Sequence, residues 1–150
     1  MLKPFDDTYF MKQALREAQT AFDKNEVPVG AVITCDNTII ARAHNLTQAL
    51  TDVTAHAEMQ VFTAASNYLG SKYLQKCTLY VTLEPCNMCA GASFWTQIGK
   101  IVYGASDNKR GFSISQVPLH PKTKIVKGVL ENECRDILLR FFEQQRKLKS

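Results

Sequence analysis

The sequence predicts an α/β fold, a three-layer α/β/α sandwich with a central five-stranded mixed sheet. Apolar residues recur at helical spacing in four stretches, and short runs with a β-strand composition lie between them. The resulting order is α-β-β-α-β-α-β-loop-β-α, which is typical of helices packed on both faces of a sheet. The chain has 150 residues, 45% of them hydrophobic, and we expect one domain that spans residues 1–150.

A helix and a β-hairpin are predicted for the first part of the chain. Apolar residues repeat at helical spacing over residues 7–24, where the polar residues just before and at the start supply capping candidates. Two runs rich in β-branched residues follow, at residues 29–35 and 38–43. The Asp36-Asn37 step between them is a signal for a tight turn, so we expect the two runs to pair as a hairpin.

A second helix and a buried strand are predicted for the middle of the chain. The helix is expected over residues 55–69, with Gly70 in the C-cap position. Asp52 and Thr54 lie just upstream and are candidates for its N-terminal cap. Residues 77–82 read Cys-Thr-Leu-Tyr-Val-Thr, which predicts a buried strand that leads directly into a Glu-Pro step.

The second half of the chain predicts a helix, two strands and a long loop between those strands. The helix is expected over residues 87–98 and to stop at Gly99, and a central strand follows at residues 101–103. Residues 106–123 are rich in Ser, Pro, Gly and Lys and predict a surface loop with one short helical turn. A last strand is expected over residues 125–130. If it is parallel to its neighbour, the loop must cross over the sheet, and the sequence leaves this orientation open.

A final amphipathic helix over residues 133–147 completes the predicted sandwich. The residues that we expect on its inner face are Ile137, Leu138, Phe141 and Phe142. Phe94 and Trp95, on the third helix, are residue types that usually belong to the core, although a dimer interface would use the same side chains.

Composition bounds the function without deciding it. The chain carries 18 basic and 14 acidic residues, and this net charge of +4 permits an RNA partner but does not establish one. Five cysteines are an odd number, and their isolation outside one motif argues against a disulfide framework and favours a reducing cytoplasm. No stretch approaches transmembrane length, so we expect no membrane partner.

Two short motifs together predict a catalytic zinc site. His56 and Glu58 belong to a His-Ala-Glu segment, and Cys86 and Cys89 belong to Pro-Cys-Asn-Met-Cys. Thiolates and a neutral imidazole are ligands that zinc prefers, and three protein ligands leave the fourth tetrahedral position open for water. A structural zinc knuckle or a redox Cys-x-x-Cys is the alternative, but neither needs Glu58, which we expect to act as the general acid and base.

The spacing of these residues favours helix starts. Cysteines three residues apart share one face of a helix, so Cys86 and Cys89 can reach one ion if a helix begins near Pro85. The unpaired N–H groups of such a helix start also stabilise thiolates. His56 and Glu58 are two residues apart, so they can face one site only at the beginning of a helix. The pattern His-x-Glu with Pro-Cys-x-x-Cys is the signature of zinc nucleobase deaminases.

Beyond these motifs, almost the whole chain resembles the bacterial tRNA-specific adenosine deaminases, within the cytidine deaminase-like superfamily. The resemblance implies hydrolytic deamination of adenosine to inosine at the tRNA wobble position. It also implies a cytoplasmic homodimer that holds one Zn²⁺ per chain. This homodimer would bind the anticodon stem-loop of the tRNA. The segments that carry it are residues 26–32 (Glu-Val-Pro-Val-Gly-Ala-Val), 54–59, 79–91 and 98–104, together with Phe141, Phe142 and Arg146.

The resemblance also implies five substrate-binding residues. Asn45 matches the asparagine that hydrogen-bonds the flipped base and its ribose, and Val29 matches an apolar wall of the pocket. Asp107 lies where the family approaches the neighbouring ribose. Lys109 and Arg146 lie where the family meets backbone phosphate.

Two other functions are compatible with the sequence. The first keeps the chemistry but takes a free base or nucleoside, such as guanine or cytosine. Departures near the RNA footprint motivate it, because Gln97 stands where a basic residue is frequent and the loop after Gly111 offers His120-Pro121 instead of Asn-His. The second is a non-catalytic RNA-binding or scaffolding protein that keeps zinc for folding. Glu58 argues against that function, and release of ammonia would exclude it.

Overall fold

A computed structural model describes residues 5–149, within which five strands form one mixed sheet in the order β2-β1-β3-β4-β5. The predicted sandwich is therefore confirmed. Its elements are α1 (Asp7–Asp23), β1 (Gly30–Cys35), β2 (Thr38–His44), α2 (Ala57–Leu69), β3 (Cys77–Leu83), α3 (Asn87–Thr96), β4 (Lys100–Ala105), α4 (Phe112–Ser115), β5 (Lys124–Lys127) and α5 (Glu131–Lys149).

Side chains along the central strands point alternately to the two faces of the sheet and so divide the core into two clusters. Val32 and Tyr80 point into a cluster with Phe10, Met11 and Ala14 of α1 and with Cys134 of α5. Their strand neighbours point the other way, since successive side chains of a strand face opposite sides. Ile33 and Leu79 pack in the second cluster, against α2 and α3. Helices α1 and α5 thus cover one face, and α2 and α3 cover the other.

The hairpin forms as the Asp36-Asn37 step predicts. Both residues have positive φ, 51° and 59°, as a turn that matches the right-handed twist of the strands requires. β1 pairs antiparallel with β2 from Gly30↔His44 to Cys35↔Thr38, with an irregularity between Ile33 and Thr34. The hairpin places the start of β1 and the end of β2 at the same end of the sheet.

The orientation that the sequence left open is parallel. β4 pairs parallel with both β3 and β5, so residues 106–123 cross over the sheet and carry the short helix α4 on the way. The last strand is shorter than predicted, because Lys124–Lys127 is followed by Gly128 and Leu130 with positive φ, and α5 begins earlier, at Glu131. The crossover brings the loop past the end of β3.

Two further helix boundaries differ from the prediction. Asp52 and Thr54 do not cap α2: the Asp52 carboxylate accepts from the N–H and the hydroxyl of Thr54, which closes a local turn, and His56 is the N-cap residue. Helix α3 ends at Thr96 instead of at the predicted Ile98, because Gln97 takes the left-handed conformation with φ 56°. Gly70 does end α2 with φ 63°, as predicted.

Four aromatic or apolar side chains lie further out than predicted. Trp95 is 77% exposed and Phe142 is 43% exposed, whereas Phe94 and Leu138 are partly buried. A composition typical of a core does not show which face of a helix meets the sheet. Among residues 5–149, no helix combines the length and the apolar character that crossing a membrane would need.

Candidate active site

Two helix starts bring the three predicted metal ligands together. His56 is the N-cap of α2, Cys86 is the N-cap of α3, and Cys89 lies in the first turn of α3. His56 Nδ1 is 3.6 Å from Cys86 Sγ and 3.6 Å from Cys89 Sγ. The three ligand atoms all lie within 4.8 Å of one another. The motifs therefore converge from two helices, as their spacing predicts.

The separations of these atoms fit a tetrahedral zinc ion. Zinc bonds of about 2.3 Å to sulfur and about 2.0–2.1 Å to nitrogen, at a tetrahedral angle, place sulfur and nitrogen about 3.6 Å apart. The observed N···S distances of 3.6 Å agree with this value. Two thiols and one imidazole nitrogen form a donor set that suits zinc, and three ligands leave one coordination position for a water molecule. These residues could therefore hold a catalytic metal ion.

The electrostatics favour a thiolate in this group. A hydrogen bond from Cys89, assisted by one from His56, lowers the pKa of the Cys86 thiol to about 4 despite its partial burial. Cys86 also stands at the N-terminus of α3, where backbone N–H groups stabilise negative charge. The hydrogen bond with Cys86 is also the largest effect on His56, and it raises the pKa of the imidazole.

Glu58 is a buried carboxyl group beside the three ligands. Its side chain is only 4% exposed, and it lies in the first turn of α2, two residues after His56. Burial, the largest effect, raises the pKa of Glu58 to about 7. A carboxyl group with a pKa in this range can both accept and donate a proton at neutral pH, which general acid–base catalysis requires.

A cavity of about 850 Å³ opens beside this group. Every residue that the sequence predicts for the site lines it except Cys89, which is only 1% exposed. The predicted residues on the cavity wall are Val29, Asn45, His56, Glu58, Cys86, Asp107, Lys109 and Arg146. The fold thus gathers residues from six separate segments of the chain around one opening.

Asn45 is held rigidly on one side of the cavity, just after the end of β2. Its Nδ2 donates to the carbonyl oxygen of Val27 at 3.3 Å, and its Oδ1 accepts from the N–H of Thr47 at 3.3 Å. The side chain is 7% exposed, so little of it faces open solvent. Val29, two residues from Val27, presents its side chain at the start of β1.

A buried carboxylate anchors the loop that follows Asn45. Glu26 is 1% exposed and accepts from the N–H of Gln48 at 2.9 Å and from the N–H of Ala49 at 2.7 Å. Because the same loop continues to His56, Glu26 fixes the chain on the N-terminal side of this candidate ligand. We call residues 45–55 the first rim of the cavity.

A second buried carboxylate anchors the opposite side. Glu84, 2% exposed, accepts from the N–H of Asp107 at 3.0 Å and from the N–H and hydroxyl of Ser113 at 3.0 and 2.6 Å. Asp107 Oδ1 in turn accepts from the N–H groups of Lys109 and Arg110, both at 3.0 Å. We call residues 106–113 the second rim. It carries Asp107 and Lys109, which the sequence predicts as substrate contacts.

Helix α5 supplies a wall that sequence reasoning missed in part. Arg146 was predicted, but Arg135, Leu138, Leu139 and Phe142 also line the cavity. Phe142 belongs to a segment that the sequence singles out, yet the amphipathic pattern of α5 predicts it to face the core. Its position on the cavity wall explains why a large aromatic side chain remains 43% exposed.

Glu26 and Glu84 were also missed as functional residues. A sequence signal for both exists: each is an acidic residue at the end or start of an apolar, strand-like run, and each stands one or two residues before a proline. A charge in that context is rarely left buried without partners. The partners themselves, backbone N–H groups more than 20 residues away, leave no pattern in the sequence.

Comparison with known proteins identifies a deaminase family. A model of the MafB19-like deaminases matches residues 5–146. The tRNA-specific adenosine deaminase of Bacillus subtilis (strain 168) is 45% identical over 149 residues, which is 95% of this chain and 92% of that protein. A solved structure from a study of A-to-I editing by tRNA:A34 deaminases at the wobble position of transfer RNA is 43% identical, with a TM-score of 0.80, and the match covers 87% of this chain and 99% of that one.

A solved guanine deaminase from Bacillus subtilis is more distant. It is 33% identical with a TM-score of 0.65, and the match covers 74% of this chain and 68% of that one. The sequence relatives and the matching fold agree with each other. The chain therefore belongs to the deaminase family of the tRNA-specific adenosine deaminases, with a cytidine deaminase-like fold.

Proposed function

We propose that this protein deaminates adenosine to inosine at the wobble position of a tRNA anticodon, with zinc as its cofactor. One observation carries the proposal: a His-Cys-Cys group with zinc-like spacing lies beside a buried glutamate at a cavity, in a chain 45% identical to a tRNA-specific adenosine deaminase. His56, Cys86 and Cys89 would hold one Zn²⁺ per chain. When bound there, zinc supplies a water molecule whose pKa is lowered toward neutrality.

Glu58 performs the proton transfers in this proposal. Its carboxylate accepts a proton from the attacking water and delivers it to the ring nitrogen N1 as the C6–O bond forms. It then transfers the second proton to the exocyclic amine as the C6–N bond breaks, so that adenine and water become hypoxanthine and ammonia. The burial of Glu58 supports both roles, because it keeps the pKa near the working pH.

The cavity wall accounts for the substrate. Attack at C6 requires a base taken out of its stack, and nucleotides in a single-stranded loop are the easiest to turn outward. Asn45 would hydrogen-bond the flipped base and its ribose, with Val29 as an apolar wall. Asp107 would approach the neighbouring ribose, and Lys109 and Arg146 would meet backbone phosphates. An anticodon stem-loop satisfies these requirements.

We propose a homodimer on a specific surface. Four large side chains lie exposed near the end of α2 and the end of α3: Tyr68, Leu69, Tyr73 and Trp95 are 67%, 39%, 43% and 77% exposed. The segments that carry them are adjacent, because the N–H of Leu74 donates to the carbonyl oxygen of Thr96 at 2.8 Å. A second copy would cover this patch. Sedimentation velocity of Trp95→Glu beside the unmodified protein tests it, with a monomeric variant as the expected result.

A tRNA substrate also suggests where and how the chain works. We propose a cytoplasmic enzyme in which residues 1–150 act as one deaminase domain. Limited proteolysis of the zinc-loaded protein should leave a resistant fragment close to full length, whereas two stable fragments would argue for separate domains.

Deamination of a free base or nucleoside, such as guanine or cytosine, is a second candidate function. The observation that favours it is the 33% identity to a guanine deaminase over 74% of the chain. The same metal group and the same Glu58 would serve that reaction. Because a free base carries no phosphates, its binding would hardly depend on salt, whereas binding of an RNA loop would weaken steeply.

The proposal is tested by following inosine formation on an anticodon stem-loop with adenosine at the wobble position. Free adenosine, guanine and cytosine are assayed in parallel for ammonia release, with the same zinc-loaded protein. Conversion of the stem-loop with little reaction of the free compounds is the expected result. Deamination of guanine or cytosine, with the stem-loop unchanged, would replace the proposal by the second candidate.

A further inference from the structure

Glu84 stands between the two parts of the site without belonging to the reaction. It directly precedes Pro85 and the ligand Cys86 in the sequence, and its side chain reaches the second rim. Its carboxylate oxygens are both used, since Oε1 accepts from Asp107 and Oε2 accepts twice from Ser113. An oxygen with these partners is not available for proton transfer, which distinguishes Glu84 from Glu58.

Gly111 shows how closely the second rim is fitted to this carboxylate. A Cβ atom at Gly111 would lie 2.3–2.5 Å from the three carboxyl atoms of Glu84, closer than atoms can approach. The backbone of Gly111 has φ −65° and ψ 150°, a conformation that any residue adopts. The glycine is therefore required for the space that Glu84 occupies and not for its torsion angles.

Backbone contacts join the same two segments. The N–H of Glu84 donates to the carbonyl oxygen of Ala105 at 2.8 Å, and the N–H of Phe112 donates to the carbonyl oxygen of Pro85 at 2.9 Å. Cys86 and Gly111 form an isolated antiparallel bridge. The second rim is thus attached directly to the segment that supplies a metal ligand, and Glu84 is the side chain that connects them.

The second rim carries side chains that face the cavity opening. Asp107, Lys109 and Arg110 all line the cavity. Their backbone turn is closed by Asp107 Oδ1, and the N–H of Asp107 is itself bound by Glu84. A displacement of this N–H would move the whole turn, including the ammonium group of Lys109, relative to the metal ligands.

We propose that Glu84 is a positioning residue for RNA binding: it fixes the second rim at one distance from the metal-binding segment, so that an RNA backbone is held in register with the reacting base. The inference rests on the proposed function and adds to it a residue that sets affinity without touching the substrate. It predicts that loss of the Glu84 carboxylate weakens binding of the stem-loop far more than it slows the reaction of bound stem-loop.

The test is the Glu84→Gln variant, assayed for inosine formation on the wobble stem-loop. The amide keeps the shape of the side chain but places an NH₂ group against donors that need an acceptor. The variant loses hydrogen bonds between the second rim and a buried charged group, so the turn that carries Lys109 is no longer held in position. We therefore expect KM for the stem-loop to rise by at least about tenfold. We expect kcat at saturating stem-loop to stay within about threefold, since the ligand atoms and Glu58 are unchanged. Zinc content should remain one per chain.

Two further variants separate positioning from a general structural role. Ser113→Ala removes one of the three hydrogen bonds and should give a smaller rise of KM in the same direction. In Gly111→Ala, residue 84 remains a glutamate, but the added Cβ atom displaces its carboxylate from the second rim. This variant should therefore raise KM as Glu84→Gln does. It also serves as the test if Glu84→Gln fails to fold.

Three outcomes decide the matter. An unchanged KM in Glu84→Gln and Gly111→Ala would overturn the inference. So would a fall of kcat with KM unchanged, because that result would place Glu84 in the chemical step. If the unmodified protein converts no stem-loop but releases ammonia from guanine, the proposed function fails, and this inference fails with it.

Discussion

The metal group and the two rims of the cavity are built in different ways. The candidate metal ligands His56, Cys86 and Cys89 come from two motifs of a few residues each, and the start of a helix orients each motif. The rims are loops, and each takes its shape from one buried carboxylate, Glu26 or Glu84, that accepts backbone N–H groups more than 20 residues away. The comparison indicates that the chemistry is encoded locally, whereas the substrate footprint depends on long-range anchoring.

The largest effect should follow from the loss of a metal ligand. Cys89→Ser replaces a buried thiol that lies 3.6 Å from His56 Nδ1, and we expect it to lose stoichiometric zinc and all detectable deamination. Cys35→Ser, at the far end of β1, is the matched control and should keep both. Zinc is measured by mass spectrometry of the purified proteins. A Cys89→Ser protein with full zinc and full activity would show that the metal group is misassigned.

The next largest effect should come from Glu58→Gln, which keeps the shape of the side chain but removes its ability to exchange protons. General acid–base catalysis contributes about 10²–10⁴-fold, so kcat should fall by at least that factor. Zinc content and stem-loop affinity should persist, because Glu58 is neither a ligand nor part of a rim. Single-turnover inosine formation provides the rate. A rate close to that of the unmodified protein would remove Glu58 from the mechanism.

A moderate effect is expected at the first rim. Glu26→Gln leaves one of two backbone N–H groups without its acceptor, and burial of an unsatisfied donor costs about 1–3 kcal/mol of unfolding free energy. We expect this loss in urea unfolding, together with a higher KM. Asp52→Asn is the matched control in the same loop, since this carboxylate is exposed, and its loss of stability should be the smaller one. Equal effects would show that burial of Glu26 is irrelevant to the rim.

The smallest effects should come from the two predicted phosphate contacts. Lys109→Ala and Arg146→Ala should each weaken stem-loop binding only a few-fold, uniformly across sequences. Each should also lower the slope of log affinity against log salt by about 0.7, the value for one phosphate contact of a single strand. Lys76→Ala, at the opposite end of β3, should leave the slope unchanged. Titrations at several salt concentrations measure this, and unchanged slopes would remove both residues from the footprint.

The same contrast explains what could be predicted from the sequence. Helical periodicity, the Asp36-Asn37 turn and the two motifs specify local geometry, and the sheet and the His56, Cys86 and Cys89 group follow from them. The left-handed Gln97 that ends α3 gives no such signal, because it lacks the glycine that such a position favours.

Other features depend on where helices sit relative to the sheet. Phe142 and Trp95 are aromatic residues on helices, and periodicity alone does not tell a core face from a cavity wall or an open surface. The anchoring of the rims by Glu26 and Glu84 could not be predicted, because the two acceptor residues are visible in the sequence and their backbone N–H donors are not.

The central claim is that the cavity beside the metal group receives a nucleotide of an RNA loop. The most direct measurement is equilibrium binding of the wobble-adenosine stem-loop to zinc-loaded Glu58→Gln protein, which should bind without turnover, at several salt concentrations and with guanine or cytosine as competitors. The account predicts binding that weakens steeply with salt and that an excess of either free base does not abolish. Tight, salt-independent binding of a free base, with no binding of the stem-loop, would contradict it.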